Sequence, residues 1–108
     1  MKLLLVVVQD ADVNILMDDL VQNNFGVTKL SSTGGFLKSG NTTIFTGVED
    51  ERLDEIFKII EANCKRRRTT TAIINPGMQA AMFQTLPVEI EVGGATVFVL
   101  NVDQFIKL

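Results

Sequence analysis

The sequence predicts a single α+β domain, an antiparallel sheet carrying two helices on one face. Three observations support this. Apolar, β-branched runs stand near the start, the middle and the end of the chain; two stretches between them repeat apolar residues at helical spacing; and 108 residues with 46% hydrophobic content suffice for one core with no room for a second.

Residues 3–8 (LLLVVV) are continuously apolar, as a central strand requires, and Gln9-Asp10 end the run. The start MKLLLVVVQD resembles the front of a signal peptide, but the apolar run is short and no small-residue cleavage site follows, so it reads as a buried strand. From Asp12 onward, Val13, Leu16, Met17, Leu20 and Val21 form one stripe of an amphipathic helix. Asp10 or Asp12 is positioned to cap it, and Asn23-Asn24 with Gly26 stop it. Residues 27–33 and 42–48 are rich in β-branched and hydroxyl side chains and read as antiparallel partners. GGFLKSGN lies between them, with Gly40-Asn41 as a tight reversal. Leu53, Ile56, Phe57 and Ile60 set a second helix, with Asp50 as its cap and Arg66 to Arg68 near its C-terminal end, where cations are favoured.

Residues 65–86 lack clear periodicity and read mostly as a long loop containing KRRR, three threonines and Asn75-Pro76-Gly77. Residues 88–92 and 96–102 are β segments around Gly93-Gly94, a hairpin or bulge signal. The resulting β-α-β-β-α-β order is that of a ferredoxin-like sandwich. In such a fold one sheet face is left without helices. Leu3, Leu5 and Val7 alternate with Leu4, Val6 and Val8, so the first strand is apolar toward both faces. A bare apolar face exceeds what a soluble monomer ordinarily exposes, so the pattern predicts association of protomers through their sheets.

Composition narrows the chemistry. The formal net charge is −3, so the whole-protein field offers no general attraction to nucleic acid polymers, and an anionic ligand must be met by a local site. With no histidine and one cysteine, Cys64, a histidine-based metal site, triad or proton shuttle is excluded, as is an intrachain disulfide. Cys64 follows the stripe of the second helix into the core and reads as an inert thiol. No segment approaches the roughly 20 apolar residues of a membrane span, so the expectation is a soluble, cytoplasmic protein without membrane insertion. No acid/base pair stands out: Asp10, Asp12, Asp18, Asp19, Glu49, Asp50, Glu51, Asp54 and Glu55 cluster at helix starts and on polar faces, where capping and solubility explain them. Catalytic and metal residues are both assigned as none, and no cofactor is expected.

Residues 28–43 (TKLSSTGGFLKSGNTT), residues 47–56 (GVEDERLDEI) and residues 91–100 (EVGGATVFVL) closely resemble the PII-like cyclic di-AMP receptors. The likeness weakens between about residues 66 and 87. The resemblance implies one PII-like domain over residues 1–108, with flexible loops at about residues 31–41 and 65–87. It further implies a homotrimer binding cyclic di-AMP in clefts between subunits, a signalling role read by an unidentified downstream protein, and no enzymatic activity. The ligand-binding residues it implies are Thr28, Gly35, Phe36, Leu37, Asn41, Gly47, Gly93 and Phe98.

Their chemistry is compatible with that ligand. Thr28 offers a hydroxyl; Gly35 and Gly47 let backbone come close; Phe36 and Leu37 give a base an apolar surface, and base–aromatic stacking is worth about 1–3 kcal/mol in single-stranded systems. The carboxamide of Asn41 matches the N6/N7 pair of adenine and mismatches the O6/N7 pair of guanine. Gly93 and Phe98 would close the pocket from the neighbouring subunit. Where the family carries arginine after the first helix this chain has Gly26, leaving Lys29 and Lys38 as nearby cations.

Duller explanations compete with several of these assignments. Asn41 also suits a hairpin that tolerates positive φ, most glycines serve turns, a loop phenylalanine can pack on its own sheet, and KRRR, able to touch phosphate or a protein partner, more simply suits a solvated helix end. Residues 78–83 (MQAAMF) fit either a partner surface or a turn packed on the assembly. Alternative functions are an ATP sensor like the true PII proteins, which the short loop without a tyrosine argues against, and a trimer that only binds proteins.

Overall fold

A computed structural model of the chain describes residues 1–30, 40–74 and 85–108. The elements run β1 (Lys2–Gln9), α1 (Asp10–Gln22), β2 (Val27–Leu30), β3 (Asn41–Val48), a 3₁₀ turn (Asp50–Arg52), α2 (Leu53–Cys64), β4 (Arg67–Ile74), β5 (Thr85–Val92) and β6 (Ala95–Asn101). Strands β2-β3-β1-β6 form one antiparallel sheet in that order, with β6 supplying the fourth strand of the ferredoxin-like arrangement.

The pleat sorts β1 by parity. Leu4, Val6 and Val8 are buried against the helices, together with Ile44, Thr46 and Val48 of β3. α1 contributes Val13, Leu16 and Leu20 to this core, and α2 contributes Ile56, Ile60 and Cys64. Val21 and Phe57, which the spacing placed on the stripes, lie at their margins and are exposed.

Several helix ends differ in detail from expectation. Asn24 stops α1 by taking φ +66°, so that Phe25 N–H donates to the Leu20 carbonyl (2.9 Å) and Asn24 N–H to the Val21 carbonyl (3.0 Å). This is a Schellman closure with the buried Phe25 as its hydrophobic contact, and Gly26 is not needed for it. Gln9 precedes α1, Glu49 the 3₁₀ turn and Arg52 α2; none of these three makes a side-chain cap bond, and none of Asp10, Asp12 and Asp50 holds a cap position. Asp10 accepts a hydrogen bond from the Thr42 hydroxyl instead. Arg52 ties the two helices: its guanidinium donates to the Asn23 carbonyl (2.7 Å), pairs with Glu55 (3.0 Å) and lies 3.9 Å over the Phe25 ring.

The largest departure concerns the stretch read as a loop. Residues 67–74 pair antiparallel with residues 85–92, from Arg67 opposite Val92 to Ile74 opposite Thr85, in a two-stranded ribbon separate from the main sheet. Thr69, Thr70, Thr71, Ile73 and Ile74 are strong β formers, and that propensity outweighs the irregular charge and apolar pattern on which the loop reading rested. Gly93-Gly94 accordingly joins ribbon to sheet, and β5 and β6 are not hairpin partners. Residues 31–39, the loop expected before β3, lie outside the described residues.

Among the described residues, no helix is long and apolar enough to cross a membrane, and no cluster of carboxylates and thiols suits a metal ion. Burial, aided by the nearby Asp12 carboxylate, pushes the Cys64 thiol up to about 11. Below the ordinary thiol value of 9.0 the preference for the neutral thiol stabilises the fold, and that contribution is lost as pH rises toward 11. At pH 8 the native protein is expected to react with a disulfide reagent at least about a hundredfold more slowly than the denatured chain, because two pKa units separate their thiolate fractions. Equal rates would contradict the buried placement of Cys64.

Candidate functional site

The end of β1, the start of β3 and the start of β6 meet at one edge of the sheet. There Val7, Val8, Gln9, Asn41, Ala95 and Thr96, with Arg66 and Gly93-Gly94, enclose an open cavity of about 220 Å³. Gln9 and Asn41 are direct cross-strand neighbours, and both line the cavity. Asn41 therefore opens a strand and has no positive φ; its place in a tight reversal is taken by Gly40, whose φ is +92°.

The root of the ribbon forms one wall, held by three ties. Gly93 N–H donates to Gln9 Oε1 (2.8 Å), and Gly94 N–H donates to the Cys64 carbonyl. Arg67 reaches back to Asp12 in the first turn of α1, with Nη2 donating to Oδ1 at 2.8 Å. Asp12 is only 5% exposed and its other oxygen has no partner among the described residues. The amide ends of α1 and the guanidinium compensate its charge. Arg67 is held on its other side by the Lys65 carbonyl at 3.1 Å, and the Asp12 hydrogen bond raises its pKa further. The arginine run thus reaches well beyond a solvated helix end: α2 stops at Cys64, Arg67 clamps the ribbon to α1, and Arg66 faces the cavity.

Of the residues assigned to ligand binding from sequence, Asn41 and Gly93 line this cavity. Thr28 and Phe98 do not. They belong to a cross-strand row, Thr28, Phe45, Leu5 and Phe98, on the face away from the helices. Gly47 shares that face, opposite Leu3, which in turn pairs with Leu100. Phe98 and Leu100 are 47% and 44% exposed, so this face of the sheet is apolar and uncovered in the single chain. Gly35, Phe36 and Leu37 lie outside the described residues. Gln9 was missed, since it reads as the polar end of a strand; the arginine run was weighed as a phosphate contact and set aside for a solvated helix end, and Arg66 is indistinguishable in sequence from Arg67 and Arg68.

The cyclic-di-AMP receptor family model matches residues 1–108, the whole chain. The chain belongs to the cyclic-di-AMP receptor family. Membership in this receptor family implies binding of cyclic di-AMP and fits a binding protein better than an enzyme. Among solved structures, a functionally unknown protein from Pediococcus pentosaceus ATCC 25745 is 43% identical, with a TM-score of 0.76 over 99% of this chain and 96% of that one. Its fold is therefore shared with this member of the receptor family over essentially the full length.

Proposed function

We propose that the protein is a non-enzymatic cyclic di-AMP sensor. In this reading the ligand lies between adjacent subunits of a homotrimer, and its arrival changes loop conformations that a downstream protein reads. The observation that carries the proposal is the division of the assigned residues between an undersized cavity and an uncovered apolar face. At about 220 Å³ the cavity falls below the roughly 300–1,000 Å³ of sites that enclose a small molecule. A dinucleotide seated at Asn41 must project beyond it. Thr28, Gly47 and Phe98 stand on the face that a second copy would cover, alongside Leu3, Leu5, Val7 and Phe45. Covering that face with neighbouring sheets buries the apolar row and brings a second chain to the ligand. Phe36, Leu37 and Gly35 then complete the contacts from the loop before β3.

Calorimetric titration with cyclic di-AMP, beside cyclic di-GMP and ATP, tests the reading. One ligand per protomer, with selectivity for the adenine dinucleotide, is expected. Asn41→Ala removes a paired donor and acceptor worth about 1–3 kcal/mol at a base edge, so binding should weaken about ten- to hundredfold and selectivity over the guanine ligand should narrow. Silence with cyclic di-AMP at high micromolar concentration would sink the proposal.

A further inference from the structure

We infer that Arg66 and Gln9 make the cavity at the ribbon root a phosphate subsite, which holds one phosphodiester of the dinucleotide while Asn41 takes the attached base. This deepens the preceding proposal and rests on it for the identity of the ligand.

The first ground is charge. The cavity lining includes one cation and no carboxylate, in a chain whose formal net charge is −3. The nearest acid to Arg66 is Glu91, whose oxygen stands 3.8 Å from Nε, beyond hydrogen-bond distance; both side chains are well exposed, at 72% and 59%. Such a pair holds little free energy and releases its guanidinium to a better acceptor. A phosphodiester offers that acceptor, because its two non-bridging oxygens, which share one negative charge, match the fork of arginine. Arg67 is unavailable for this role, being committed to Asp12.

The second ground is the orientation of Gln9. Its Oε1 accepts from Gly93 N–H at 2.8 Å, which fixes the carboxamide and leaves Nε2 with no hydrogen bond among the described residues. The amide therefore presents donors, not its acceptor, to whatever enters. Asn41 stands directly across the ladder from Gln9, so a donor suited to phosphate and a carboxamide suited to adenine are cross-strand neighbours. A nucleotide joins its base and its phosphate to one ribose, which requires such adjacency. Thr96 adds a hydroxyl to the same lining.

Two measurements on the assembled protein decide the matter. In calorimetry, Arg66→Gln is expected to weaken cyclic di-AMP binding about ten- to hundredfold, as loss of a charge-assisted hydrogen bond implies, with Arg66→Lys intermediate because it keeps the charge and loses the fork. In nitrogen-edited NMR, inorganic phosphate should shift the Gly93 and Gly94 amides and the Gln9 side-chain amide in the wild type, and shift them far less in Arg66→Gln. Unchanged affinity in Arg66→Gln, or equal phosphate shifts in both proteins, overturns the subsite. If the wild type ignores cyclic di-AMP, the receptor reading fails by itself, and the phosphate shifts still decide whether Arg66 and Gln9 form an anion site.

Discussion

In the trimer proposed above, Leu5→Glu is expected to separate the subunits into single chains and to abolish cyclic di-AMP binding while leaving each chain folded. Leu5 lies at the middle of the row Thr28, Phe45, Leu5 and Phe98, on the face opposite the helices. In one protomer its side chain borders solvent, so a carboxylate there can stay hydrated; the cost to the isolated fold is a strand-propensity effect of about 1 kcal/mol or less. Between packed sheets the same carboxylate would be buried without a cation, and unpaired buried charge costs several kcal/mol for each subunit. Light scattering after size exclusion should move from trimer to monomer, the far-ultraviolet circular dichroism should stay the same, and calorimetry should show no heat with ligand. A Leu5→Glu protein that stays trimeric with native affinity would place both the interface and the ligand elsewhere.

The second large effect is expected at Gly93. A Cβ built there stands 2.6 Å from Arg67 Nη1 and 2.6 Å from the Lys65 carbonyl oxygen, at a φ of +85°. The carbonyl belongs to the turn that follows α2 and cannot step aside, while displacing Arg67 strips the buried Asp12 of its partner. Positive-φ strain, collision and partial loss of the ion pair together suggest that Gly93→Ala destabilises the fold by about 3–5 kcal/mol. For a domain of this size that lowers Tm by about 15–25 °C, measured at fixed protomer concentration because any association of protomers shifts the midpoint. Gly94→Ala is the control: it has the same φ of +85°, but the nearest atom to its Cβ is 3.6 Å away. It should show only the strain, about 1–2 kcal/mol. Equal effects at the two glycines would remove the collision from the explanation.

Gly93 also shows why a glycine in a motif is hard to interpret. Its place beside the ligand came from resemblance, and it does line the cavity; yet what forbids a side chain there is the protein's own Arg67 and Lys65. Asn41 is the converse case. A turn explanation competed with a ligand explanation in the sequence; the structure gives the positive φ to Gly40 and places Asn41 on the ladder opposite Gln9, beside the cavity.

The α+β class, both helices, the four strands of the main sheet and the buried cysteine were legible in the sequence, because each depends on the residue pattern within a short segment. Leu4, Val6 and Val8 against Leu3, Leu5 and Val7 even announced that both sheet faces are apolar. The sequence by itself also carried the family, through motifs spread over most of the chain. Tertiary structure decided the ribbon: residues 88–92 already read as β, but the charge and irregular pattern of the preceding stretch hid the β propensity of residues 67–74, and with it the pairing of the two segments. It alone separated Arg66 from Arg67, two identical neighbours, by giving one a buried carboxylate 55 positions away and the other a cavity. Long-range contacts of that kind leave no periodic trace, because each is a meeting of two single residues and not a pattern repeated along either segment.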